Sequence, residues 1–290
     1  MNNLWVNSIT IFGYEIKFYG IIIACGFLVA LLLCKKFCKI NEMDSNIPYD
    51  LILIVFPLAI IGARLYYVLS TLDRNWTFAK IIAVWEGGLA IYGGIIASLL
   101  GIIVYCCIKK YKLSKVLDII VPGLLIAQAM GRWGNFFNQE CYGNLITNEG
   151  LQWFPFAVYI PRANFTPEAI EQVISAFGTD AIEGAFFNAT FFYESFWNFV
   201  GFFLSYHIVT KWDNDGLATA FYLGYEGIGR FWIEGLRTDS LYLFGTGIKI
   251  SQAVSILMLV VAVVWIVLIF ARDKSILKKK GKSLENSEKS

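Results

Sequence analysis

ISQAVSILMLVVAVVWIVLIFA, residues Ile250–Ala271, runs for 22 residues without a charged side chain. As a helix it would rise about 33 Å at ~1.5 Å per residue, enough to cross a hydrocarbon core of about 30 Å. It therefore reads as a membrane-spanning helix, and the uncharged stretch from Tyr19 to Leu33 reads the same way. Working outward from these two, seven stretches in all are long and apolar enough, at roughly 18–34, 50–71, 87–108, 115–137, 190–210, 216–236 and 250–271. The third is rich in glycine, and the fourth and sixth carry arginines, which suits the inside of a bundle. Composition agrees. The chain is 57% hydrophobic and 16% charged, with a mean hydropathy of +0.60, whereas a soluble domain carries about 25% charged residues. The expected fold class is an all-α polytopic membrane protein of about seven transmembrane helices, with a small extracytoplasmic domain between spans four and five.

The basic residues orient these spans. Lys35, Lys36 and Lys39 follow the first; Lys109, Lys110, Lys112 and Lys115 separate the third from the fourth; Lys211 follows the fifth; Arg272 and six lysines follow the seventh. Those 15 lie on one side, against five (Lys17, Arg74, Lys80, Arg162 and Lys249) on the other. The positive-inside rule then places the C-terminus in the cytoplasm and the N-terminus outside. Residues 1–271 read as one membrane-embedded domain with an extracytoplasmic insertion at 138–189, and 272–290 as a basic, irregular cytoplasmic tail. Met1–Thr10 lacks the basic region of a cleaved leader.

Two segments outside the membrane carry local signals. In the insertion, Thr166 is a helix N-cap, Pro167 the first helical residue, Glu168 and Glu171 lie in the first turn, and Gly178 is the stop. Ile170, Val173, Ile174 and Phe177 recur with helical period, so an amphipathic helix is expected on the outer leaflet or over a cavity. In 72–86, Trp76, Phe78 and Trp85 suit an interfacial anchor.

Arg64, Arg132, Arg230 and Arg237 remain, within or at the ends of spans. An arginine at mid-membrane costs about 2.5–3.5 kcal/mol on insertion scales. Helix-end snorkelling accounts equally well for Arg64 and Arg237; for Arg132 and Arg230 their neighbours favour function. Gly131-Arg132-Trp133-Gly134-Asn135-Phe136-Phe137-Asn138-Gln139-Glu140-Cys141-Tyr142-Gly143 packs an arginine, two asparagines and a glutamate at the outer end of a span. Its glycines suit sharp turns or close approach of a ligand, with irregular backbone lining a wet cavity. In the sixth span Arg230, Glu234 and Arg237 share one helix face, as an anion site or as a structural ion-pair ladder. In the third, Tyr92 stands between paired glycines, Gly87-Gly88 and Gly93-Gly94.

Other chemistries are poorly served. The six cysteines include only Cys141 on the outer side, and His207, near an inner end, is the only histidine. No metal-ligand spacing, histidine triad or nucleotide loop appears, so no metal, cofactor or nucleic-acid partner is expected.

With these residues set out, the chain resembles the prolipoprotein diacylglyceryl transferases. The family signature G-R-x-G-N-F-x-N-x-E-x-x-G is met by Gly131, Arg132, Gly134, Asn135, Phe136, Asn138, Glu140 and Gly143. Phe18-Tyr19-Gly20, Gly62–Tyr67, Gly87–Gly94, Phe192–Ser195 and Gly229–Ser240 follow the family in order, so the likeness spans about Phe18 to Ala271. There are departures. Tyr92 stands where many members have histidine, Glu226 where the family has a tyrosine, and Asn188-Ala189-Thr190 where His-Pro-Thr is usual.

The resemblance implies a reaction. The thiol of a lipobox cysteine in a prolipoprotein signal peptide displaces phosphate from the glyceryl carbon of phosphatidylglycerol, forming a thioether and releasing glycerol 1-phosphate. It implies a bacterial plasma-membrane enzyme with its active site toward the outer face. Arg132, Arg230, Tyr92 and Glu140 are the expected catalytic residues. Arg132, Asn135, Asn138, Gly143, Tyr19, Glu234 and Arg237 are the expected substrate contacts. Guanidiniums would bind the phosphate through two donors and stabilise its developing charge. The thiol, of ordinary pKa about 8.5, must lose a proton to Tyr92, to Glu140 or to the phosphate itself. Two other classes stay open: a small transporter, which would show repeat symmetry between halves, and a non-catalytic lipid-binding protein, which would not need the whole signature. A cytidine-diphosphate-dependent phosphatidyltransferase would need an aspartate array that the sequence lacks.

Overall fold

The computed structural model describes residues 7–179, 181–237, 247 and 249–287, with side chains as far as 272. Helices stand at all seven expected positions: α1 (Phe18–Ile40), α2 (Ile47–Ser70), α4 (Ile91–Lys109), α5 (Leu113–Asn138), α7 (Thr190–Lys211), α8 (Leu217–Leu236) and α9 (Ile250–Ser287). Two shorter helices, α3 (Phe78–Ile82) and α6 (Pro167–Phe177), lie between them. Five are long and apolar enough to cross a membrane: α1, α2, α4, α5 and the Ile250–Arg272 part of α9. The backbone of α9 stays helical to Ser287, where an irregular tail was expected; residues 288–290, and 238–240 at the end of the family-like Gly229–Ser240 stretch, lie outside the described residues.

The chain divides into two compact units, Leu31–Ile119 and Met1–Ala30 with Ile120–Ser290. In the first, α2 and α4 touch backbone to backbone. A Cβ on Gly93 would collide with the carbonyl oxygen of Gly62 and the Cβ of Tyr66, and one on Gly101 would come within 2.6 Å of Leu58. Gly93, Ala97 and Gly101 thus form a small-residue stripe at four-residue spacing, the pattern that lets helices approach closely where no hydrophobic effect drives them together. The close approach at Gly93 is therefore that of another helix.

Arg64 closes the same unit. It is buried, and it donates to the carbonyls of Ile81 at 3.0 Å, Lys80 at 2.5 Å, Gly87 at 2.5 Å and Gly88 at 3.0 Å. A single guanidinium satisfies four carbonyls, two at the end of α3 and two at Gly87 and Gly88, that would otherwise be left bare. Snorkelling does not describe it.

In the other unit, an N-terminal hairpin pairs β1 (Ser8–Ile11) with β2 (Tyr14–Lys17). Positive φ at Phe12 and Gly13 gives the two-residue turn that matches strand twist. The sequence reading did not include this hairpin. It also missed the sheet of the 138–189 insertion, where β3 (Ala157–Pro161) pairs antiparallel with β4 (Gly184–Asn188). The α6 helix has the boundaries its capping residues dictate: the Thr166 side chain accepts from Ala169 N, and Gly178 ends it in the left-handed region. Its inward face is Ala169 and Val173, which join Tyr142, Ile160, Ala185 and Phe187 in a small core. Ile174 and Phe177 are exposed. The helix therefore packs on a sheet as part of a miniature α/β core.

Candidate active site

The first eight residues of the signature are helical rather than irregular. Gly131 to Asn138 are the last two turns of α5, and the chain leaves the helix only at Gln139 and Cys141, both with positive φ. Helical spacing decides which signature side chains share a face. Arg132 and Asn135 point together, and Arg132 Nη1 lies 3.4 Å from Asn135 Oδ1. Asn135 and Asn138 both donate to Glu140 Oε1, at 2.8 and 3.2 Å. Glu140 thus fixes the two amides.

Three helices assemble the charges. Glu194, near the start of α7, accepts from Arg132 Nη2 at 2.5 Å and from Arg230 Nη1 at 2.8 Å. Arg230 Nη2 lies 3.3 Å from Glu234 Oε2, which is 3.9 Å from Arg237 Nη1. The result is a chain of alternating sign, Arg132–Glu194–Arg230–Glu234–Arg237. Its carboxylate side chains are 4% and 3% exposed, while Arg132 and Arg230 keep 23% and 22%. The anions are sunk between helices and the guanidiniums stand in front of them. Arg132 and Arg230 each have five N–H donors and commit two nitrogens to the contacts just named, so part of each of these two forks can face an anion. Breaking up a buried pair is costly, yet the pair adds little net stability; what this arrangement supplies is orientation.

Arg237 caps α8, donates to Cys141 Sγ at 3.3 Å, and pairs across an isolated bridge with Gly143. A Cβ on Gly143 would lie 2.8 Å from Asn188, Thr190 and the Leu236 carbonyl. Gly143 thus lets the signature pass between the starts of α7 and the end of α8. Tyr19 lies on α1 with its ring against Gly134, where a Cβ would come within 2.6 Å. Trp133 faces away from the charges and donates to Ser195 Oγ at 3.1 Å. It lines an apolar groove of about 270 Å³ with Ile126, Phe192, Phe196 and Phe199.

Of the expected residues, the structure brings together Arg132, Asn135, Asn138, Glu140, Arg230, Glu234 and Arg237. Tyr92 belongs to the other unit, half-buried in the first turn of α4. Glu194 was missed as a site residue. Its signal was present: a lone carboxylate in Phe191–Tyr206, a stretch otherwise without charge, is by default functional when it lies in a membrane.

The chain matches the family model for prolipoprotein diacylglyceryl transferase over residues 7–268. It is 39% identical over 278 residues to phosphatidylglycerol–prolipoprotein diacylglyceryl transferase 1 of Clostridium perfringens, covering 94% of this chain and 97% of that protein. The corresponding transferases of Clostridium botulinum and Streptococcus equi subsp. zooepidemicus are 37% and 40% identical, over 89% and 87% of this chain and 94% and 90% of theirs. With its signature arginine and asparagines set on one helix face against two further helices, the chain belongs to the prolipoprotein diacylglyceryl transferase family.

Proposed function

We propose that this transferase does what its relatives' names describe, moving a diacylglyceryl group from phosphatidylglycerol to a prolipoprotein, and that Arg132 and Arg230 hold the phosphate. The observation that carries the reading is Glu194, a buried carboxylate that aims both guanidiniums at one place. The thiol sulfur of the lipobox cysteine bonds to the glyceryl carbon, the carbon–oxygen bond to phosphate breaks, and glycerol 1-phosphate leaves. Charge on the leaving phosphate rises during the step, and fixed guanidiniums in a low-dielectric site stabilise that change. Asn135 and Asn138, fixed by Glu140, are placed to receive the glycerol hydroxyls or ester carbonyls. Gly143 and Arg237 tie the signature to α8, and Tyr19 sets α1 against it.

All seven long helices cross the membrane in this reading, with the N-terminus outside, the tail 272–290 in the cytoplasm, and the insertion 138–189 on the outer face of a bacterial plasma membrane. Residues 1–271 act as one catalytic domain. The distribution of basic residues supports this orientation, and the site lies at the ends of α5, α7 and α8 that it places outermost.

Membranes bearing the chain, labelled phosphatidylglycerol and a lipobox peptide test the reaction. Lysine keeps the charge of arginine and loses its two-pronged geometry. Arg132→Lys and Arg230→Lys are each expected to lose most of the rate while the protein still accumulates. Near-normal transfer by Arg230→Lys would leave that residue a structural partner of Glu194 and Glu234.

A further inference from the structure

One helical turn deeper than the charge chain, the same three helices present a second polar layer that the reaction above does not use. Gln128 is four residues before Arg132 on α5, Asn198 four after Glu194 on α7, and Glu226 four before Arg230 on α8. Each therefore lies on the same face as its charged neighbour, about 6 Å along the helix axis. Gln128 Nε2 donates to Tyr222 Oη at 3.1 Å. Its Oε1 and both polar atoms of Asn198 are buried without partners among the described residues. Glu226 is 7% exposed, and among the described residues its carboxylate makes no hydrogen bond. Orphaned buried polar atoms are rare and call for an explanation; three in one layer with a buried carboxylate make a polar layer under the arginines.

The geometry of displacement at carbon gives this layer a use. Sulfur, carbon and the leaving oxygen must lie in line, so the thiol attacks from the side opposite the phosphate. With the phosphate held by Arg132 and Arg230, that side is the deeper one, toward the acyl chains. Glu194 and Glu140 are committed to arginines and asparagines. Glu226 is the carboxylate on the side of the incoming sulfur with lone pairs to spare.

We propose that Glu226 is the proton acceptor for the cysteine thiol, with Gln128 and Asn198 as the polar groups of the same layer that the incoming sulfur meets. The inference rests on the transfer reaction proposed above. The S–H proton passes to the Glu226 carboxylate as the sulfur–carbon bond forms and the carbon–oxygen bond breaks. The electron pair of that bond stays on the phosphate oxygen. The proton then goes to the departing phosphate monoester, which restores the carboxylate. The charged and titratable groups around Glu226 are Arg132 from α5, Glu194 from α7, and Arg230, Tyr222 and Tyr225 from α8; α9 offers none between Ile250 and Ala271.

Full-length Glu226→Gln in phosphatidylglycerol vesicles, with a lipobox peptide as acceptor, tests this. General-base removal is expected to lower kcat about 100-fold or more at neutral pH, with KM for phosphatidylglycerol changed no more than about threefold. The remaining rate should climb with pH until the thiol ionises unaided near pH 8.5. A selenocysteine peptide, already ionised at neutral pH, should recover most of the lost rate. Glu226→Asp, which keeps the carboxylate one methylene further back, should lose less, and it serves in place of the glutamine variant if that one does not accumulate. Retention of more than half the rate in Glu226→Gln, or a loss that the selenol does not repair, overturns the assignment. Absence of transfer by the unaltered protein sinks the reaction itself, which is a separate outcome.

Discussion

A single oxygen of Glu194 holds two arginines from two other helices. At this scale the site is a problem of desolvation. Burying a carboxylate to 4% exposure is costly, and the two guanidiniums that donate to it offset that cost. Glu194→Gln keeps the shape and removes the charge, so Arg132 and Arg230 would lose their common anchor. Removing one partner of a buried pair costs about 3–5 kcal/mol, reduced here because both arginines stay partly solvated. A drop in thermal stability together with at least a tenfold loss of transfer is expected, read by unfolding midpoint and by the labelled-lipid assay. An unchanged rate would mean that the arginines do not need Glu194 to face the phosphate. Arg132, Arg230, Asn135, Asn138 and Glu140 were legible in the sequence because each stands in a short contiguous motif, at the end of α5 and just beyond it or on α8. The pairing through Glu194 was not, because it joins residues 36 and more positions apart.

Among the elements, α2 and α4 show how closely helices meet without side chains between them. The collision a Cβ on Gly93 would make is with backbone, which cannot swing aside. Gly93→Ala is therefore expected to destabilise the α2–α4 pair by about 1–3 kcal/mol, the usual cost of overpacking. Gly20→Ala, with nothing within 4 Å of the new carbon, should be silent. Susceptibility to proteolysis in detergent separates the two, and equal resistance would refute the tight crossing. The glycines around Tyr92 were visible in the sequence, but their partner was not. The amphipathic stripe of α6 was likewise visible, while its docking on β3 and β4 depended on strands too short and too remote for periodicity to reveal.

For the whole molecule the open question is topology. The α7 and α8 helices have 22 and 20 residues, yet are less apolar than the other five because their buried faces carry Glu194, Asn198, Glu226 and Glu234. Polar groups kept for chemistry lower the very hydropathy by which a span is recognised. A cysteine placed at Glu149, exposed in the insertion, should react with a membrane-impermeant thiol reagent in intact cells, measured against the unaltered chain. One placed at Lys282 should react only after lysis. The reverse pattern would invert the molecule, and labelling of both from outside would remove a span.

The sequence by itself determined the helices, because apolar runs of bilayer length and capping residues such as Thr166 and Gly178 act over a few neighbouring positions. It also determined the family, since the signature from Gly131 to Gly143 is contiguous. Only the tertiary structure decided which polar groups meet: that Arg132 and Arg230 share Glu194, that Arg64 serves four carbonyls, that Glu226 lies near Glu194, Arg132 and Arg230. Those outcomes follow from helices brought side by side, where burial makes each charge find a counter-charge or a use, and no local pattern along the chain records which one it finds.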